Sequence, residues 1–188
     1  MGIRLKIKEQ WVSVMALYTP WRMDYITGAI NNKELGCFMC RAVNSDDELV
    51  VYRGKYCIVL MNKYPYNRGH LLIAPKRHVP GIVDLTDDEL MECATLIKAS
   101  TCALSELLKP VDFNIGVNVG RIAGAGYEEH VHFHIVPRWS GDVNSIPVKY
   151  TLDAVINDIK GLIPELSKLI RRCMSNDDNG PEVHTNKS

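Results

Sequence analysis

Apolar residues follow two different rhythms along this chain. Four short runs rich in β-branched and aromatic residues predict strands over Tyr56 to Asn62, His70 to Lys76, Val111 to Asn118 and His130 to Pro137. Between the second and third, Leu90, Met91, Ala94, Leu96, Ile97, Leu104, Leu107 and Leu108 predict a long amphipathic helix that stops before Pro110. Thr86, with Glu89 three positions on, forms a capping box, and the acids from Asp84 to Glu92 suit the positive end of the helix dipole. Pro65, Asn67 and Gly69 supply turn chemistry for a hairpin between the first two strands, and glycine-rich Gly120 to Gly126 separates the last two. Two strands, a helix and two strands predict an α+β domain with a mainly antiparallel sheet.

A second helix, opened by Thr151 or Asp153, carries Val155, Ile156, Ile159, Leu162 and Ile163, and Pro164 is expected to kink or restart it. The organisation expected is therefore a domain over 1–150, a C-terminal helix over 151–174 packed on it, and a loose tail over 175–188 that holds His184.

Composition narrows the field. The 188 residues carry 22 Lys and Arg against 22 Asp and Glu, with 46% hydrophobic residues. Ordinary apolar content argues against disorder throughout, and zero net charge argues against nucleic acid as the partner. The N-terminus does not read as an export signal, because Arg4, Lys6, Lys8 and Glu9 interrupt it, and no apolar run approaches the ~20 residues needed to span a bilayer. A soluble, cytoplasmic protein without membrane partners is expected. In a reducing compartment the 6 Cys read as thiols or metal ligands, with Cys57, Cys93, Cys102 and Cys173 as core residues. Charge is balanced only in sum: Arg53, Lys55, Lys63, Arg68, Lys76 and Arg77 form an acid-free stretch that is either a solvated face or a local positive field for a small anionic ligand.

Three of the 6 His fall within five residues, in His130-Val131-His132-Phe133-His134. Strand side chains alternate faces, so the three imidazoles share one face at ~6.6–6.8 Å steps while Val131, Phe133 and Ile135 point the other way. All three around one catalytic metal conflicts with that geometry, since the outer pair would lie ~13 Å apart. Cys37-Phe38-Met39-Cys40 has the knuckle spacing of a zinc site, which His78 and one of the three imidazoles would complete. A redox C-x-x-C is the alternative, disfavoured because no thioredoxin-like helix start follows it.

The stretch Phe113 to Pro147, FNIGVNVGRIAGAGYEEHVHFHIVPRWSGDVNSIP, together with PWRMDYITG at Pro20 to Gly28 and MNKYPYNRGHLLIAPKRH at Met61 to His78, resembles the histidine triad (HIT) superfamily, in the branch that contains diadenosine polyphosphate hydrolases and phosphorylases. The resemblance implies a HIT-like fold, a homodimer and a nucleotide substrate. It makes His132 the nucleophile that forms a nucleotidyl-imidazole intermediate, His134 the phosphate-contacting member, and His70 a histidine beside the site. It makes Cys37, Cys40, His78 and His130 the ligands of a structural zinc. Asn62 and Asn118 would hold the ribose and phosphates, Gly124, Ala125 and Gly126 would bring backbone N–H groups to the phosphates, and Trp139 matches an aromatic position near the site. Many relatives place Ser, Thr or Gln where this chain has Gly126. The implied reaction is nucleotidyl transfer from a dinucleoside polyphosphate to water or phosphate. Hydrolysis of a nucleoside phosphoramidate, or a zinc-stabilised nucleotide-binding module with little catalysis, are the competing readings.

Overall fold

A computed structural model describes residues 3–7, 10–14, 36–140, 142 and 152–175. The PWRMDYITG segment, Thr151, Pro147 and the tail with His184 lie outside the described residues. A two-stranded sheet pairs β1 (Ile3–Ile7) with β2 (Gln10–Val14) antiparallel. A second sheet has five antiparallel strands: β3 (Val50–Arg53), β4 (Cys57–Met61), β5 (Leu71–Pro75), β6 (Asp112–Val117) and β7 (Phe133–Arg138). Its spatial order is β3-β4-β5-β7-β6. Among the described residues three α-helices accompany it: α1 (Phe38–Asn44), α2 (Asp87–Leu108) and α3 (Leu152–Ser175). The architecture is α+β, as the pattern of elements implies.

The four expected strands are present, each with shifted ends, and the capping box at Thr86 is made as read. Several elements escaped the reading. β3 is only four residues long, too short for alternation to register, and α1 and the β1–β2 hairpin gave no sustained period. The last strand begins at Phe133, so His130 and His132 lie in its lead-in. α3 runs unbroken through Pro164 rather than restarting there.

The two faces of the sheet are covered unequally. Val59, Met61, Leu71, Ile73, Ile135 and partly Phe133 join the buried core with Leu96, Ala103 and Leu104 of α2 and Ile159, Leu166 and Ile170 of α3. Each fully buried aliphatic side chain there contributes about 1.5–3 kcal/mol. On the opposite face Ile58, Leu60, Leu72 and Ala74 pack against Met39 and Ala42 of α1. That smaller cluster covers β4 and β5, while the β7–β6 half of the face is left to a polar site.

α2 crosses from β5 to the far edge, where β6 forms, and the chain then returns as β7 into the slot between β5 and β6. The triad strand is thereby flanked on both sides. Gly69 makes the preceding turn possible: it adopts φ +78°, and a Cβ there would meet Leu108 Cδ1 at 2.6 Å. Glu92 of α2 reaches the β3–β4 turn and accepts the N–H groups of Lys55, Tyr56 and Cys57.

Cys102 and Cys173 are joined in a disulfide, which overturns the expectation of two thiols; Cys173 is buried in the core as read, whereas Cys102 is exposed. It ties α2 to α3 beside the Arg172–Glu106 ion pair. Cys57 and Cys93 are buried free thiols, as read. The basic residues of the acid-free stretch make contacts within the fold. Arg53 donates to the carbonyls of Val43 and Ser45, Arg68 pairs with Asp158, Lys76 donates to the Gly54 carbonyl, and Arg77 pairs with Glu89. Lys55 and Lys63 lie over the rings of Tyr56 and Tyr64. No helix among the described residues is long and apolar enough to cross a membrane.

Candidate active site and metal centre

The seven sequence-selected imidazole and thiolate groups near the triad strand sort into two centres. The first joins Cys37, Cys40, His78 and His130, whose donor atoms all lie within 4.8 Å of one another. Cys37 Sγ is 3.2 Å from His130 Nδ1, and Cys40 Sγ is 3.2 Å from His78 Nδ1 and 3.5 Å from His130 Nδ1. Donors on a tetrahedral zinc at its usual bond lengths sit about 3.6 Å apart for sulfur and nitrogen. The residues thus fit a Cys2His2 ion in number, type and spacing. His130 is fully buried, and its Nε2 lies 2.8 Å from the Pro75 carbonyl. Donating there leaves the Nδ1 lone pair for the thiol side, the arrangement that orients a ligand imidazole. Burial, then the hydrogen bond with Cys37, pushes the Cys40 thiol up to about 11, so a thiolate there needs a cation.

One ground for reading the C-x-x-C as metal-binding fails. Cys37 caps α1, with Cys40 N–H donating to its sulfur at 3.5 Å, so a helix does start at the pair. What separates it from a dithiol is the convergence of two imidazoles from 38 and 90 residues away.

The second centre is a chain of rings, His70, His134 and His132. Tyr66 N–H donates to His70 Nδ1 at 3.0 Å, so His70 carries its proton on Nε2. That nitrogen lies 3.0 Å from His134 Nδ1, which therefore accepts, and neutral His134 keeps its proton on Nε2. The Tyr66 ring stacks on His70 at 5.1 Å between centroids. His132 meets His134 edge to face at 4.9 Å. Its Nδ1 lies 2.9 Å from the His130 carbonyl, so the proton sits on Nδ1 and the lone pair on Nε2. Burial holds its pKa below the usual imidazole range, partly countered by that hydrogen bond, and the ring is neutral near pH 7. A buried, neutral imidazole with a directed lone pair is a competent nucleophile.

The remaining candidates are placed as follows. Asn62 turns its amide toward His70, with Nδ2 3.3 Å from Nδ1, and accepts Tyr64 N–H. Asn118 donates to the Gly124 carbonyl at 3.4 Å, at the start of the glycine loop where Gly124 has φ +90°. Ala125 is buried, and Gly124 and Gly126 are exposed. Trp139 follows β7, with its backbone N–H donating to Asp142 Oδ1 at 2.8 Å.

Sequence reasoning missed Tyr66, and it read Asn67 only as a turn residue. Asn67 is fully buried, donating to the Pro137 carbonyl at 3.0 Å and to Asp142 Oδ1 at 3.1 Å. Asp142 also pairs with Arg138, which in turn donates to Asn114 Oδ1. The Pro65-Tyr66-Asn67 turn, one residue before Gly69-His70, was the available signal for Tyr66.

Residues 44–141 match the family model described as the HIT domain. The chain belongs to the HIT family. Among curated HIT relatives, "AP-4-A phosphorylase" of Mycobacterium tuberculosis is 35% identical over 167 residues, covering 85% of this chain and 82% of its own. "Adenosine 5'-monophosphoramidase hnt1" of Schizosaccharomyces pombe is 30% identical over 105 residues, 55% of this chain and 75% of its own. The crystal structure of a hypothetical histidine triad nucleotide-binding protein from Sulfolobus tokodaii superposes with a TM-score of 0.60 at 28% identity, over 74% of this chain and 93% of that one. Cys37 and Cys40 precede the matched HIT segment, whereas His78, His130, His132 and His134 lie inside it.

Proposed function

We propose that this HIT protein transfers a nucleotidyl group from a dinucleoside polyphosphate, of the diadenosine tetraphosphate type, through a covalent intermediate on His132. The observation that carries the reading is the bond from His132 Nδ1–H to the His130 carbonyl, which leaves the Nε2 lone pair to act as the nucleophile. The 35% identical phosphorylase supports the substrate class.

In the first step His132 Nε2 attacks the α-phosphorus, a P–N bond forms, and the P–O bond to the leaving polyphosphate breaks with its electron pair on oxygen. Nδ1–H, held by the carbonyl, stabilises the positive charge that the ring acquires. His134, whose Nε2–H is kept by the His70 bond, donates to the leaving oxygen. In the second step water or phosphate attacks the same phosphorus and the P–N bond breaks. Cys37, Cys40, His78 and His130 would hold zinc in a structural role, since all four positions are filled by protein. When bound, it would tie α1 to the segment that precedes β7. The family resemblance supports a homodimer.

The deciding experiment is incubation with diadenosine tetraphosphate, with and without inorganic phosphate. Phosphate-dependent ADP identifies a phosphorylase, and AMP with ATP an asymmetric hydrolase. Release of ammonia from adenosine 5'-phosphoramidate alone favours the second reading, which the monophosphoramidase relative supports. No turnover of either overturns both.

A further inference from the structure

Asp142 is a carboxylate only 5% exposed that belongs neither to the metal centre nor to the chain of imidazoles. Burying a charge is costly unless its oxygens are paired and hydrogen-bonded, and here both are. Oδ2 pairs with the Arg138 guanidinium, and Oδ1 accepts the Trp139 backbone N–H at 2.8 Å. The Asp142 N–H returns to the Trp139 carbonyl at 3.2 Å. These contacts are local to the end of β7. One is not: Oδ1 also accepts Asn67 Nδ2 at 3.1 Å, from 75 positions away in sequence.

Asn67 uses every polar group of its buried side chain. Nδ2 also donates to the Pro137 carbonyl at 3.0 Å, and Oδ1 accepts the Arg68 N–H at 3.2 Å. A flipped amide would set its oxygen against that carbonyl and the Asp142 carboxylate, so only one orientation is satisfied. The Asn67 carbonyl accepts the His70 N–H at 3.1 Å, which closes the turn from Tyr66 to His70. Pro137 lies in β7, the strand that carries His134, and Asp142 is tied to Arg138 at its end. The turn that holds His70 and the strand that holds His134 therefore share one frame.

That frame decides where protons sit. Tyr66, next to Asn67, donates its N–H to His70 Nδ1 at 3.0 Å, and Asn62 Nδ2 faces the same nitrogen at 3.3 Å. With Nδ1 occupied, His70 donates from Nε2 to His134 Nδ1, and His134 keeps its own proton on Nε2. A turn displaced from β7 would draw the Tyr66 N–H away and let His70 carry its proton on Nδ1. His134 would then donate from Nδ1 to His70, and its Nε2 would be left without a proton.

We propose that Asp142 is a positioning residue for the triad: through Asn67 it holds the Tyr66–His70 turn where the tautomers of His70 and His134 are fixed. Its effect on turnover rests on the nucleotidyl-transfer reading above. Its effect on the tautomers does not, and is measured without substrate.

Long-range proton–nitrogen correlation NMR on isotope-labelled protein identifies, ring by ring, which imidazole nitrogen is protonated. The wild type is expected to show His70 and His134 protonated on Nε2. Asp142→Ala is expected to show both averaged between tautomers, with His132 unchanged because the His130 carbonyl holds its proton. Asn67→Ala should give the same change, and the double variant no more than either, since the two side chains act through one contact. In each, kcat on diadenosine tetraphosphate should fall about tenfold while KM stays within about twofold. If Asp142→Ala does not fold, Asp142→Asn, which turns an N–H2 toward one of these donors, replaces it and should show the same change in smaller degree. Fixed Nε2 tautomers in a folded variant, or averaged tautomers already in the wild type, overturn the proposal whatever the turnover. Averaged tautomers with unchanged kcat overturn its catalytic half, and with it His134 as the acid.

Discussion

His70 Nε2 lies 3.0 Å from His134 Nδ1, and Tyr66 N–H, on the other side of the His70 ring, decides which of the two donates. A single backbone amide thus sets the tautomer of two imidazoles in succession. In the proposed mechanism the consequence reaches the reacting atoms, because there only a His134 protonated on Nε2 can donate to the leaving oxygen.

Removing His70 should therefore impair chemistry more than binding. His70→Ala is expected to lower kcat about tenfold to a hundredfold with a smaller change in KM, measured on diadenosine tetraphosphate. A larger change in KM than in kcat would assign His70 to substrate contact instead.

His132→Ala should abolish turnover, to below about a thousandth of the parent rate, while leaving the fold and the metal content unchanged. Acid-quenched wild-type protein incubated with α-labelled nucleotide should carry label that the variant lacks.

The cysteine–histidine centre predicts about one equivalent of zinc per chain by elemental analysis. Cys37→Ser should lose it and destabilise the protein by several kcal/mol, because metal-binding energy in such sites is folding energy. A protein that folds with the same melting temperature after chelation would remove zinc from the picture.

The Cys102–Cys173 disulfide closes a loop with a sequence separation of 71. Loop-closure entropy puts its contribution at up to about 4 kcal/mol. Reduction of the wild type and the double Cys→Ser variant should both lower the urea midpoint, and should leave zinc content untouched.

Glu89 provides a pH test. The Arg77 guanidinium, together with the Thr86 N–H and hydroxyl, holds its carboxyl at about 2, below the ordinary 4.5, against the opposing effect of burial. A depressed carboxyl stabilises the fold above the unfolded value and loses that contribution as pH falls toward the folded one. Glu89→Gln should cost about 1–2 kcal/mol at neutral pH, at the low end for a charged hydrogen bond because Arg77 is half exposed. The gap from wild type should close between pH 4.5 and 2 in acid titrations of stability.

Local periodicity carried much of the fold and of the site. Alternation announced Phe133 and Ile135 as core and His134 as its opposite, Thr86 and Glu89 announced the start of α2, and the C-x-x-C spacing announced a two-thiol centre. These are legible because side-chain direction follows from neighbours within a few positions. What alternation could not supply was distance in space. The pairing of Cys102 with Cys173, the burial of turn residue Asn67 against Asp142, and the tautomers set by Tyr66 and the His130 carbonyl depend on where α2 delivers the chain and on which slot β7 enters. The basic stretch shows the same division: the sequence lists its charges, but only the packed structure assigns them to carbonyls, rings and carboxylates. Which contacts a polar group makes is decided by tertiary packing, because burial without a partner is too costly to leave to chance.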